Sequence, residues 1–130
     1  MARRQTRASR ARSSAVSRRG GAHSFEAANA RHEHESHLWE HVKLPENKTL
    51  IPGVMTHASN IVEHPELIAE RLVRFAKLVG RENVIAGADC GFSSQATYRP
   101  EVHPTVIWAK FQALRDGARL ASTQLWSGSA

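Results

Sequence analysis

The sequence alternates continuous apolar runs with segments of helical periodicity. Candidate strands cover 24–28, 49–55 and 83–88, and candidate helices cover 33–42, 65–79 and 104–121. Apolar strands without alternation, each followed by a helix, are typical of a parallel sheet covered by helices. The pattern therefore predicts an α/β fold with its chemistry at the carboxyl ends of the strands.

The two longer helices have clear boundaries and faces. Pro65 and Pro104 suit a first helical turn, and Gly80 lies where a C-terminal cap belongs. The histidine before each proline, His64 or His103, is interpreted as a local cap. The helical period predicts a buried face made of Ile68, Leu72, Phe75 and Val79 in the first helix, and of Ile107, Phe111, Leu114, Ala118 and Ala121 in the second.

Chain length limits the architecture. Three strands cannot close a barrel, and a three-stranded parallel sheet has two open edges. We therefore expect these 130 residues to be the last piece of a larger α/β domain. No apolar run approaches the ~20 residues that a membrane span needs, which excludes an integral membrane protein. The single cysteine excludes an internal disulfide framework and indicates a reducing, cytoplasmic setting.

The positive charge is confined to one end. Residues 1–22 hold seven of the 18 Lys and Arg residues and no acid, which leaves eleven basic against twelve acidic residues in 23–130. After Met1, Val16 is the only sizeable aliphatic side chain in segment 1–22, so we predict that the segment is disordered. It is compatible with a transit peptide, with a basic arm for nucleic acid, or with out-of-frame translation of a GC-rich gene, which we favour. Nucleic-acid binding is not expected except through this tail.

Two residues at strand ends could carry chemistry. Cys90 follows the third strand between Asp89 and Gly91, where a thiolate could be a nucleophile or a soft metal ligand rather than a buried small hydrophobe. Glu26 lies in an apolar stretch and needs a partner or a shifted pKa. It is either paired with a basic residue such as Arg31, or a metal ligand or general base. Asp89 and Asn60 also follow predicted strands, at the carboxyl ends where chemistry is expected, and are candidates for contact with the substrate.

A histidine-rich stretch follows the first strand. His37 and His41 are spaced i,i+4 on the predicted helix over 33–42, a spacing that can bind a metal. The interleaved glutamates favour a solvated surface instead. Arg31 or His32, just above the strand end, is a further site candidate.

Four segments together resemble a known family. They are SFEAANARHEHE (24–35), LIPGV (50–54), the stretch 60–92 and IWAKFQALRDGARLAS (107–122), with DCG at 89–91 and EHPE at 63–66 as the sharpest matches. They resemble the C-terminal catalytic domain of cobalamin-independent methionine synthase, and more closely its shorter methionine synthase II-like relatives. The resemblance implies about three β/α units from the C-terminal part of a TIM (β/α)8 barrel. The expected organisation is a disordered tail (1–22), a partial barrel domain (23–122) and a frayed end (123–130).

The same resemblance implies zinc-dependent methyl or alkyl transfer from a methyl donor to a thiol such as homocysteine, as in methionine synthesis. Glu26 and Cys90 match two of the zinc ligands of that family. Its His-x-Cys ligand pair is absent here, so we expect this chain alone to be inactive. His57 falls one position short of a catalytic histidine of the family, and that role is not carried onto it. The alternative is a non-catalytic α/β protein whose basic tail binds nucleic acid or an acidic partner.

Overall fold

A computed structural model describes residues 21–57, 59–92 and 102–128. The strands are β1 (Ala22–Phe25), β2 (Thr49–Met55) and β3 (Gly87–Ala88), the α-helices are α1 (Pro65–Val79) and α2 (Pro104–Trp126), and short 3-10 helices cover Glu33–Glu40 and Arg81–Asn83. Among the described helices, none has both the length and the apolar character needed to cross a bilayer.

The strands form one parallel sheet in the order β1-β2-β3. Ala22 pairs with Thr49 and Gly53 pairs with Gly87, with a register irregularity between Gly53 and Met55. The predicted parallel α/β arrangement is confirmed. All three strands therefore end at the same edge of the sheet, which we call the carboxyl edge.

Both outer strands differ from the predicted ranges. β1 begins at Ala22, inside the segment predicted to be disordered, and ends at Phe25. Ala27 and Ala28 leave the ladder because their backbone N–H groups donate to the Asp89 carboxylate. β3 has only two residues, preceded by an isolated parallel bridge between Leu50 and Val84. Residues 1–20 lie outside the described part, so disorder and binding by the basic tail stay predictions.

Helix α1 covers the sheet as predicted. Its residues Ile68, Leu72 and Phe75 are buried, and the Phe75 ring meets Phe25 of β1 edge-on at 5.9 Å. The predicted histidine caps are confirmed, since His64 accepts a hydrogen bond from the backbone N–H of Glu66 and His103 accepts one from Thr105.

The predicted buried face of α2 is only partly correct, because Ala121 is buried and Leu114 and Ala118 pack partly buried against the core, but the centre of the face is shifted by part of a turn. Phe111 is 41% exposed, whereas the fully buried positions are Lys110, Ala113, Gly117 and Ala121. Small residues face α1 because the two helices approach closely: a Cβ at Gly117 would lie 2.6 Å from Cβ of Ile68. Apolar periodicity misses this face because a glycine and a lysine belong to it.

Two further expectations need correction. Helix α2 continues to Trp126, so the end predicted to fray from residue 123 is helical over 123–126. The Arg81 guanidinium lies 3.9 Å from the Trp126 ring centroid and fixes this last turn. The segment Glu33–Glu40 is a 3-10 helix with three residues per turn, so i,i+4 residues do not align on it. Instead, Nδ1 of His37 lies 2.7 Å from Oε1 of Glu40.

Candidate metal centre

Three metal-ligating side chains meet at the carboxyl edge. Glu26 directly follows β1, His57 lies two residues after β2, and Cys90 lies two residues after β3. One ligand atom from each, namely a Glu26 carboxylate oxygen, a His57 ring nitrogen and the Cys90 Sγ, lies within 4.8 Å of the other two. Each strand of the sheet thus contributes one ligand-bearing residue.

The meeting of Glu26 and Cys90 agrees with the expected geometry of parallel strand ends. Their role as zinc ligands is a separate matter and stays a prediction. His57 was noted after the second predicted strand but was not predicted to be a metal ligand. The available signal was positional, because His57 follows its strand by two residues, as Cys90 does.

Asp89 shapes the turn that carries Glu26. Its Oδ1 accepts hydrogen bonds of 2.9 Å from the backbone N–H groups of both Ala27 and Ala28, and its Oδ2 accepts one of 3.0 Å from Asn29. The carboxylate is buried and joins the end of β3 to the chain leaving β1. These contacts define a positioning residue, while the predicted substrate-side role of Asp89 stays a prediction. Asn60 is exposed, and its predicted substrate-side role is likewise untested.

Glycine at position 53 permits this arrangement. A Cβ there would overlap the Asp89 side chain and lie 2.8 Å from its Cα. Because the obstruction includes backbone, it could not be relieved by a side-chain rotation alone. Gly53 in β2 therefore allows Asp89 to cross the sheet toward β1.

The Glu26 carboxylate has polar neighbours from the following turn. Asn29 donates a 3.0 Å hydrogen bond to its Oε2, and Nε2 of His32 lies 3.7 Å from the same oxygen. Arg31, considered from sequence as a partner, instead donates its backbone N–H to the Asn29 side chain. Asn29 thus touches both Glu26 and Asp89 and fixes one carboxylate relative to the other.

Cys90 is exposed, yet its thiolate form is disfavoured. The pKa of the Cys90 thiol is raised above its ordinary value of 9.0, mainly because the surrounding protein desolvates it. The charge of Glu26, a hydrogen bond to Glu26 and the charge of Asp89 raise it further. The metal-free thiol is therefore protonated at neutral pH. A bound cation would reverse this balance, because it stabilises both the thiolate and the adjacent carboxylate.

A buried ionic network supports the chain beside His57. Nζ of Lys110 lies 2.9 Å from Oε2 of Glu63 and donates at 2.6 Å to the Ile61 carbonyl. The other Glu63 oxygen accepts from the backbone N–H and the hydroxyl of Thr56. Burial alone would raise the pKa of Glu63, but the hydrogen bonds from Thr56 and Lys110 outweigh it and hold that pKa below 4.5.

The donor set fits zinc. Tetrahedral zinc with bonds of about 2.0–2.3 Å separates its ligand atoms by about 3.3–3.8 Å. The three ligand atoms lie within 4.8 Å of one another, which exceeds that spacing by about 1 Å at most. Thiolate and imidazole favour zinc over the oxygen-seeking ions magnesium and calcium.

Comparison with known proteins identifies a structural neighbour and no sequence relative. No protein-family model matches the chain, and no curated protein matches it. Among solved structures, the fold matches a B12-independent methionine synthase from Shewanella sp. W3-18-1, in complex with selenomethionine, with a TM-score of 0.71. The match covers 88% of this chain and 30% of that chain at 21% identity, so the likeness is one of fold.

Proposed function

We propose that this chain is the zinc-binding C-terminal part of a thiol methyltransferase related to the cobalamin-independent methionine synthases. The observation that carries the proposal is the convergence of Glu26 and Cys90 at the carboxyl edge. Both were matched to zinc ligands by family resemblance alone. The neighbour of similar fold is itself a methionine synthase, which supports the same assignment.

Each residue of the site has a distinct part in this proposal. Glu26 and Cys90 hold the metal, Asn29 orients the Glu26 carboxylate, and Asp89 positions the turn that presents it. Zinc, when bound, lowers the pKa of a thiol ligand and keeps the sulfur reactive at neutral pH. The acceptor in the proposal is a thiol such as homocysteine.

The transfer itself is a nucleophilic substitution. The acceptor thiol loses its proton to solvent on binding, and its sulfur lone pair attacks the methyl carbon of an electrophilic donor. The new S–C bond forms as the bond to the leaving group breaks, and that group departs with the bonding electrons. We propose that donor binding needs the remaining strands of a (β/α)8 barrel, so the chain alone transfers methyl groups poorly.

Calorimetry on the zinc-loaded full chain tests the acceptor class. Homocysteine and homoserine differ only in sulfur against oxygen and form a matched pair. We expect homocysteine to bind with release of about one proton, measured in buffers of different ionisation enthalpy, and homoserine to give no heat of binding. Equal behaviour of the two ligands on zinc-loaded protein would contradict a thiol acceptor.

A further inference from the structure

We infer that His57 is the third protein ligand of this centre, so that Glu26, His57 and Cys90 form a three-ligand zinc site among the described residues. The inference rests on the proposed function for the Glu26–Cys90 pair and adds a ligand from the middle strand. No His-x-Cys pair is available here, because Cys90 is the single cysteine of the sequence. A histidine from β2 supplies the missing donor.

Sheet geometry favours a ligand from the middle strand. Neighbouring strands lie about 4.8 Å apart, so the ends of β1 and β3 are separated by about 10 Å. Side chains from the two outer strands must lean inward to share one ion. His57 follows the strand between them, and its ring nitrogen lies within 4.8 Å of both other ligand atoms.

The His57 ring has an unsatisfied group. Its Nδ1 is buried and has no hydrogen-bond partner among residues 21–57, 59–92 and 102–128. A buried polar atom without a partner is unfavourable, and native structures satisfy nearly all such atoms. Coordination of a metal ion by Nδ1 would satisfy this atom, which no described side chain does.

The backbone before His57 is held in place. Thr56 donates its N–H at 2.8 Å and its hydroxyl at 2.6 Å to Oε1 of Glu63, which is itself paired with buried Lys110. This network anchors the residue that precedes His57. A preorganised ligand loses less conformational freedom on binding a metal, and hydrogen bonds that hold the ligand's backbone in place support metal affinity.

The charge and number of the ligands indicate an open catalytic site. Glutamate, cysteinate and neutral histidine carry two negative charges, which balance one Zn²⁺. Structural zinc sites have four protein ligands, whereas catalytic sites have three and leave the fourth position to water or substrate. A three-ligand site in this chain therefore leaves one position for an external thiol.

Cobalt titration of the full chain tests the inference, since Co²⁺ reports tetrahedral geometry and sulfur ligation by its absorption. We expect the unaltered chain to bind one Co²⁺ with a sulfur-to-cobalt band. His57→Gln should weaken binding by at least about tenfold, while His34→Gln, at an exposed histidine, should leave it unchanged. His57→Cys should restore binding and increase the sulfur-to-cobalt band, because a second thiolate joins the site.

The outcomes separate the inference from the proposed function. If Cys90→Ser and Glu26→Gln weaken binding while His57→Gln binds as the unaltered chain does, His57 is not a ligand and the Glu26–Cys90 pair stands. An unchanged sulfur-to-cobalt band in His57→Cys would also overturn the inference. If the folded, unaltered chain binds no Co²⁺, the inference and the proposed zinc function fail together.

Discussion

Nζ of Lys110 lies 2.9 Å from Oε2 of Glu63, and both side chains are buried between α2 and the segment that follows β2. The pair joins residues 47 positions apart and completes its hydrogen bonds through Thr56 and Ile61. An isolated charge at either position would be costly, so the two residues depend on each other.

Removal of the Lys110 charge should destabilise the protein strongly. Lys110→Met leaves the Glu63 carboxylate buried without its cation, and we expect a loss of about 3–5 kcal/mol in the free energy of unfolding. Lys77→Met, at an exposed position of α1, is the matched control and should change stability by less than about 0.5 kcal/mol. Urea denaturation of the three proteins measures the difference. Equal midpoints for the two variants would contradict a stabilising role of the pair.

Acid should weaken the fold through Glu63. Its pKa is lower in the folded protein than the ordinary 4.5, so the unfolded state binds its proton first as pH falls. The stability contributed by the ionised carboxylate is present above pH ~4.5 and is lost as pH falls through the folded-state pKa. In Glu63→Gln, unfolding free energies between pH 7 and pH 3 should decline less steeply than in the unaltered chain. If the unfolding free energy of Glu63→Gln fell as steeply with pH as that of the unaltered chain, Glu63 would not be the group that makes the fold acid-sensitive.

Asp89 should act on the metal centre without binding the metal. Asp89→Asn removes the negative charge of the group that accepts hydrogen bonds from the Ala27 and Ala28 N–H groups. It also places an amide beside the Asn29 amide, which donates to Asp89. We expect metal affinity to fall about 10–100-fold, as for other residues that position ligands, with the Cys90 sulfur-to-cobalt band retained. Asp116→Asn, at a surface ion pair with Arg115, is the control. Loss of the sulfur band in Asp89→Asn would contradict a purely positioning role.

Position 53 should tolerate no side chain. Gly53→Ala brings a methyl group against Asp89, including its backbone, and we expect a destabilisation of about 1–3 kcal/mol with weaker metal binding. Gly91→Ala is the matched control, since a Cβ there meets nothing within 4 Å among the described atoms. Thermal unfolding and cobalt titration of both variants measure the effect. A Gly53→Ala protein as stable as Gly91→Ala would contradict the close approach of Asp89.

The regular elements were accessible from sequence because they follow local rules. β2 and α1 have their predicted bounds, since an apolar run, a proline at the first turn and a capping glycine define them without reference to the rest of the chain. Because Glu26 and Cys90 each lie at the end of a predicted parallel strand, they were also expected to meet at the carboxyl edge. That step needed only the parallel order of the sheet, which the β–α–β pattern predicts.

What the sequence missed depends on pairs of distant residues. Lys110 was not predicted to be buried, because its burial requires Glu63, 47 positions earlier. The α2 face was misassigned in part, because Gly117 has no side chain and so lets α2 pack closely against Ile68. His57 was considered only for a catalytic role, and its meeting with Glu26 and Cys90 depends on side chains that are far apart in the sequence.

X-ray absorption at the zinc edge tests whether Glu26 and Cys90 hold a metal ion. In the zinc-loaded full chain, we expect one sulfur neighbour at about 2.3 Å together with nitrogen or oxygen neighbours at about 2.0–2.2 Å. The sulfur contribution should vanish in Cys90→Ser, since Cys90 is the single cysteine. A zinc shell of nitrogen and oxygen alone in the unaltered protein would contradict a metal centre at Glu26 and Cys90.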